Sequence, residues 1–188
     1  VLFFKDTAPT EIYPLSLHDA LPISKKTLVV HANRLINADI EMLQRVGADV
    51  VHCPRSHAWF GHANFDCDRL AKAGVNICIG TDSLASTGGE TAVMGLNMFA
   101  EMQELSRNHP KLPCEDLLQM ATANGATALG LGDEIGLLKE GLIANMAVIP
   151  YSDSVSSVPE AIVQHSCPVA MLMIEGKRAF SGIDSIVD

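Results

Sequence analysis

Apolar and polar positions fall into blocks along residues 25–188, and the blocks repeat a strand–helix unit. Thr27-Leu28-Val29-Val30 is a short apolar run that stops at His31. Ile40, Leu43 and Val46 then recur at helical spacing, which predicts a helix from Asn37, its cap, through Arg45, with Gly47 as its stop. Ala48-Asp49-Val50-Val51 is a second strand, followed by His52-Cys53-Pro54-Arg55-Ser56-His57, read as the start of a loop. Cys67–Ala73 predicts a short helix closed by Gly74. Val75, Ile77, Cys78 and Ile79 are apolar on both faces, the pattern of a strand covered on both sides. That strand runs into the corner Gly80-Thr81-Asp82.

The unit occurs three times, and His31, His52 and Asp82 hold equivalent places at the C-terminal ends of the strands. Their spacings of 21 and 30 residues suit βα units of a parallel sheet or barrel. Chemistry gathers at that edge in α/β folds. A carboxylate there, Asp82, is a candidate metal ligand or general base; the plain alternative is a turn residue.

Downstream, a long helix is predicted from about Thr91 to Ser106, with Met94, Met98, Met102 and Leu105 on one side as core packing. Pro110 and Pro113 interrupt the chain before a helix over Glu115–Asn124 and a helical turn over Ala126–Leu129. Residues 144–149 and 169–174 are apolar strands joined through the serine-rich stretch Ser152–Pro159. Glu175-Gly176-Lys177-Arg178 forms a turn into Ala179-Phe180. These strands are too few for a sandwich of their own and are expected to complete a sheet begun elsewhere.

Composition narrows the partners. A formal charge of −9, 5% aromatics and no basic cluster argue against nucleic-acid binding. No apolar run approaches the roughly 18 residues of a membrane span. The five cysteines are odd in number and form no CxxC pair, which fits reduced, structural thiols in a cytoplasmic protein. Residues 1–24 differ in texture: they lack any period and carry Pro9, Pro14 and Pro22. Their stretch Leu15–Ser24 resembles the conceptual translation of a short-read sequencing adapter. They are therefore expected to be an artefact, and His18 and Asp19 are set aside as functional candidates.

Val30-His31-Ala32-Asn33, His52-Cys53-Pro54-Arg55-Ser56 and Gly80-Thr81-Asp82-Ser83-Leu84-Ala85-Ser86, in this order, resemble the amidohydrolase superfamily, in its branch of metal-dependent deaminases and chlorohydrolases. Met120–Ala126 and Ile135–Gly141 fit the tail of the same family. The resemblance implies an α/β fold: a partial (β/α)8 TIM barrel, strands six to eight, over residues 25–130. Residues 131–188 would then be C-terminal strands of a small composite β-sandwich. The family's His-x-His and His-x-x-Glu metal motifs are absent, so the chain is expected to be a C-terminal fragment.

By the same resemblance, Asp82 binds a divalent metal, zinc first and iron second, and takes a proton from the activated water. His31 hydrogen-bonds the attacking water or the developing tetrahedral centre, and His52 and Arg55 shape the substrate pocket. Ser83 stands beside the site without a role, and His57 stands where many relatives carry Asn. A zinc site made of His52, His57 and His62 is set aside, because a spacing of five on a loop fixes no common face. His109 and His165 read as surface residues. Asn145 and Leu142-Ile143 replace polar family residues in the sandwich segment.

The implied activity is hydrolysis of a C–N bond in a cyclic or heteroaromatic small molecule, with deamination ahead of dehalogenation. A non-enzymatic barrel remnant used for binding is the rival; retention of both Asp82 and His31 speaks against it. Self-association into a homo-oligomer is left open. With one expected metal ligand, purified 25–188 should bind zinc weakly and show no turnover. Calorimetry with zinc and an ammonia-release assay check this, and tight stoichiometric zinc with turnover overturns the fragment expectation.

Overall fold

A computed structural model describes residues 23–87, 95–151 and 157–181. Residues 1–22 of the adapter-like stretch 1–24, Met94 and residues 152–156 lie outside these ranges. The chain divides into two compact units, residues 1–96 and 97–188.

The first unit is built on a three-stranded parallel sheet in the order β1 (Leu28–Val30), β2 (Asp49–His52), β3 (Ile77–Ile79). Val29 pairs with Val50, Val51 with Cys78, and His52 with Ile79. The helix after β1, α1 (Asn37–Val46), starts differently from the prediction. Asn37 is its first helical residue, and the cap falls to Asp39, whose carboxylate accepts the Ile36 N–H at 3.0 Å. This satisfies the N–H of Ile36 and places a negative charge at the positive end of the helix. Gly47 closes the helix at φ +67°, as its left-handed stop requires.

The segment after β2 is not a loop but a helix, α2 (Pro54–Trp59). Pro54 sits at its first position, where the missing N–H costs nothing and the fixed φ already suits a helix. Next comes α3 (Cys67–Lys72), capped by Asp66, whose side chain accepts the Arg69 N–H. All three residues of β3 are buried, as a strand covered on both faces should be. At the opposite edge from the site, Asn76 donates its side-chain N–H to Asp49 and ties β3 to β2.

In the second unit four helices pack together: α4 (Met98–Asn108), α5 (Cys114–Ala121), α6 (Ala123–Ala128) and α7 (Val158–Val163). Asn97 caps α4 by accepting from the Phe99 and Ala100 N–H groups. Met102 and Leu105 are buried, which places this part of the methionine stripe in the core. Ser157 caps α7 in the stretch predicted as a connection. His165, expected at the surface, is buried instead: it follows the turn ending α7, packs edge-on to Phe99, and its C=O accepts from Gln103. An antiparallel sheet, β4 (Met146–Val148), β5 (Met171–Ile174), β6 (Lys177–Ser181), completes the unit. Glu175 and Gly176, both at positive φ, make a two-residue hairpin between β5 and β6. That pair of conformations matches the right-handed twist of the strands. Among the described residues, no helix is long and apolar enough to cross a membrane.

Burial holds two thiols protonated. Desolvation, with Asp68 and Asp66 nearby, pushes Cys67 up from 9.0 to about 12, and desolvation with Asp49 pushes Cys78 to about 11. Cys167 is exposed. At about pH 8 a thiol reagent should label Cys167 first and reach Cys67 and Cys78 only on unfolding. The native state also keeps protons that the unfolded chain loses above about pH 9. Stability present below that pH should therefore fall as the pH rises toward 11 and 12, read as a dropping denaturation midpoint.

Candidate active site

Parallel pairing delivers the polar residues to one edge. The ladder continues past the strands: the His31 N–H donates to Val51 C=O at 2.9 Å, and the Gly80 N–H to His52 C=O at 2.8 Å. His31 directly follows β1, His52 is the last residue of β2, and Asp82 lies three residues past the end of β3, so all three stand near one edge of the sheet, but the register pairs His52 with Ile79 and not with Asp82. Gly80 has no room for a side chain. A Cβ there would lie 2.9 Å from Val51 Cγ1 and 3.5 Å from Cys53 Sγ.

The backbone is strained where the candidate groups sit. Among the described residues four non-glycine positions have positive φ, and three belong here: His31 at +73°, Ala32 at +49° and Asp82 at +54°. Each such conformation costs roughly 1 kcal/mol or more for a residue with a Cβ. The Ala32 N–H also donates to Val30 C=O at 3.1 Å. With φ +73° at the residue between them, this is the rarer, strained form of γ-turn, centred on His31.

Asp82 and His31 face each other, Oδ2 to Nε2 at 3.8 Å, each about a quarter exposed. At that distance no direct hydrogen bond forms, and one oxygen about 2.8 Å from both can bridge them. The same Asp82 Oδ2 accepts a hydrogen bond from Ser56 Oγ at 2.7 Å. Ser56 is fully buried on α2 and fixes which way the carboxylate points.

His52 and Arg55 have other surroundings. His52 is 2% exposed and lies flat on Phe65, with ring centres 3.9 Å apart and planes 9° apart. Arg55 donates to Gly95 C=O at 2.7 Å and Thr87 C=O at 3.4 Å, holding the chain that follows Asp82. His57 is bonded through both ring nitrogens, to Asn33 Oδ1 at 2.9 Å and Ala63 C=O at 2.6 Å. Its ring is 5.0 Å from that of His52 and 5.3 Å from that of His62. The three histidines do come close, because α2 and not a loop connects them. Ser83, given no role, bonds within its own 3-10 turn to Ser86.

A divalent metal needs more than this edge supplies. Zinc takes three or four protein ligands, and among the described residues no three His, Cys, Asp or Glu side chains form a group that could hold an ion. Asp82 fits as one ligand, and the remaining set is not found among these residues.

The Amidohydrolase family profile matches residues 12–179. The chain belongs to the amidohydrolase family. It is 34% identical over 128 residues to a 5-methylthioadenosine/S-adenosylhomocysteine deaminase of Pyrococcus furiosus, covering 68% of this chain and 30% of that protein. It is 32% identical over 157 residues to a 5'-deoxyadenosine deaminase of Methanosarcina mazei, covering 80% and 36%. A zinc-bound adenosine deaminase from Xanthomonas campestris superposes at a TM-score of 0.75 and 27% identity, over 84% of this chain and 38% of the other. The chain spans about a third of the length of the curated relatives it matches.

Ser56 is the residue that sequence reasoning left without a part. Its signal was there: a hydroxyl two residues into a helix that Pro54 starts, four residues after the strand-end His52. Ser56→Ala should lower stability by about 1 kcal/mol, since part-exposed Asp82 regains a water in place of the lost donor. Urea denaturation of the two proteins checks it.

Proposed function

We propose that the protein carrying this chain is a hydrolase that removes ammonia from an adenosine-like small molecule, and that Asp82 and His31 do its proton chemistry. The facing of these two side chains across 3.8 Å, each on a strained backbone, carries the reading. Relatives above 30% identity are named as deaminases of adenosine derivatives, which favours deamination over dehalogenation.

Asp82 takes a proton from the attacking water and returns one to the departing amine, so that water and substrate become a hydroxylated ring and ammonia. His31 hydrogen-bonds the oxygen that develops negative charge. Ser56 keeps one Asp82 oxygen oriented during both transfers. In this reading Asp82 is also one ligand of a divalent metal, zinc before iron, whose other ligands lie outside the described residues. Such an ion when bound makes the water more acidic. His52 and Arg55 then serve the pocket indirectly, His52 as a buried wall behind Phe65 and Arg55 by holding Thr87 and Gly95. The three parallel strands correspond to strands six to eight of a barrel, and residues 131–188 to part of a β-sandwich.

The test is an ammonia-release assay of the full-length protein on 5'-methylthioadenosine, S-adenosylhomocysteine, 5'-deoxyadenosine, adenosine, guanine and a chlorotriazine. Turnover is expected on one or more adenosine derivatives. Asp82→Asn and His31→Asn should each lower kcat by about 10²–10⁴-fold. Chloride release without ammonia release overturns the deaminase reading, and full activity in Asp82→Asn overturns the site.

A further inference from the structure

We propose that His57 is a positioning residue: through Asn33 it holds the strained turn that aims His31 at Asp82. This rests on the role given to His31 above. His57 departs from the Asn that the family resemblance expects at its position, so its part cannot be carried over from relatives and must come from the geometry.

The γ-turn at His31 is unfavourable twice, at φ +73° and again at φ +49° on Ala32. A turn of this kind persists only where its surroundings hold it. On its upstream side the sheet does so, through the His31 N–H to Val51 C=O. On its downstream side the next residue, Asn33, is tied by its side chain to His57 Nδ1 at 2.9 Å. His57 is itself well fixed. It is 7% exposed, its Nε2–H donates to Ala63 C=O at 2.6 Å, and its ring packs against those of His52 and Phe65. Ala63 C=O can only accept, so Nε2 carries the proton in every state of the ring. The Asn33 amide then suits either form of Nδ1, offering its oxygen to a protonated ring or, rotated, its N–H to a neutral one. The tie does not depend on a charge.

Neighbours on α2 complete the arrangement. Ser56 fixes the Asp82 carboxylate and His57 fixes the turn of His31, so adjacent residues of one short helix set both sides of the 3.8 Å gap. Loss of the His57 contact should let the turn relax toward negative φ and carry His31 away from Asp82.

The decisive experiment uses Ala32→Gly as a rescue. Glycine adopts positive φ without penalty, so a turn freed of that strain needs the tie less. In the full-length protein, His57→Ala should lower kcat at least about tenfold with KM within about twofold, as a misplaced catalytic group does. The double variant Ala32→Gly/His57→Ala should recover most of that loss. The His31 ring signals in nitrogen-15 spectra of the present chain should shift in His57→Ala and return in the double variant, while His62→Ala leaves them in place. If His57→Ala fails to fold, Asn33→Ala, which removes the same bond from the other side, takes its place under the same criteria. Unchanged kcat and His31 signals in the single variant, or no rescue by Ala32→Gly, overturn the proposal. Should the full-length protein turn over nothing, the functional reading fails, and the His31 signals still decide whether His57 holds the turn.

Discussion

The candidate site depends on backbone hydrogen bonds that run one step beyond the strands. His31 N–H to Val51 C=O and Gly80 N–H to His52 C=O carry the ladder one step past β1 and β3. Side-chain direction flips with every residue along a strand, so a slip of one position would turn His52 and its neighbours to the wrong face. Apolar packing on both sides of β3 and the parallel ladder hold that register together. The chemistry at the edge is in this sense a by-product of a buried sheet that ends in the same place three times.

Helix α2 turns this edge into a defined geometry. Arg55, Ser56 and His57 are consecutive, yet each reaches a different piece of chain: the carbonyls of Thr87 and Gly95, the Asp82 carboxylate, and Asn33. Residues that follow one another on a helix point about a quarter-turn or more apart, which lets six residues brace three neighbours at once. None of these bonds is strong alone, at about 1 kcal/mol for a neutral pair and more where a charge takes part. Their value lies in ordering groups that the strained turns would otherwise release.

Much of this was legible in the residues. The strand pattern and the stops at Gly47 and Gly74 come from periodicity and from residues whose backbone preferences are narrow; the equivalence expected of His31, His52 and Asp82 does not extend to Asp82, since His52 pairs with Ile79. The helix after Pro54 was misread because six residues show less than two turns of period; the proline was the better sign. The burial of His165 and the bonds of Arg55 were not legible at all. Both depend on segments distant along the chain, Gln103 and Phe99 for the first and Thr87 and Gly95 for the second. Long polar side chains look alike in a sequence whether they meet a substrate or a carbonyl. The local pattern at His31 likewise carried little sign of its γ-turn: His tolerates positive φ better than most residues but mostly sits elsewhere, and Ala rarely adopts it.

Gly80 leaves a lasting mark on how this edge can change. Its missing side chain is matched to Val51, whose branched Cβ allows little rotation away from the 2.9 Å contact. Alanine at 80 is blocked while Val51 stays as it is, but a smaller residue at 51 opens the space for it. A side chain can therefore appear at position 80 only after position 51 has shrunk.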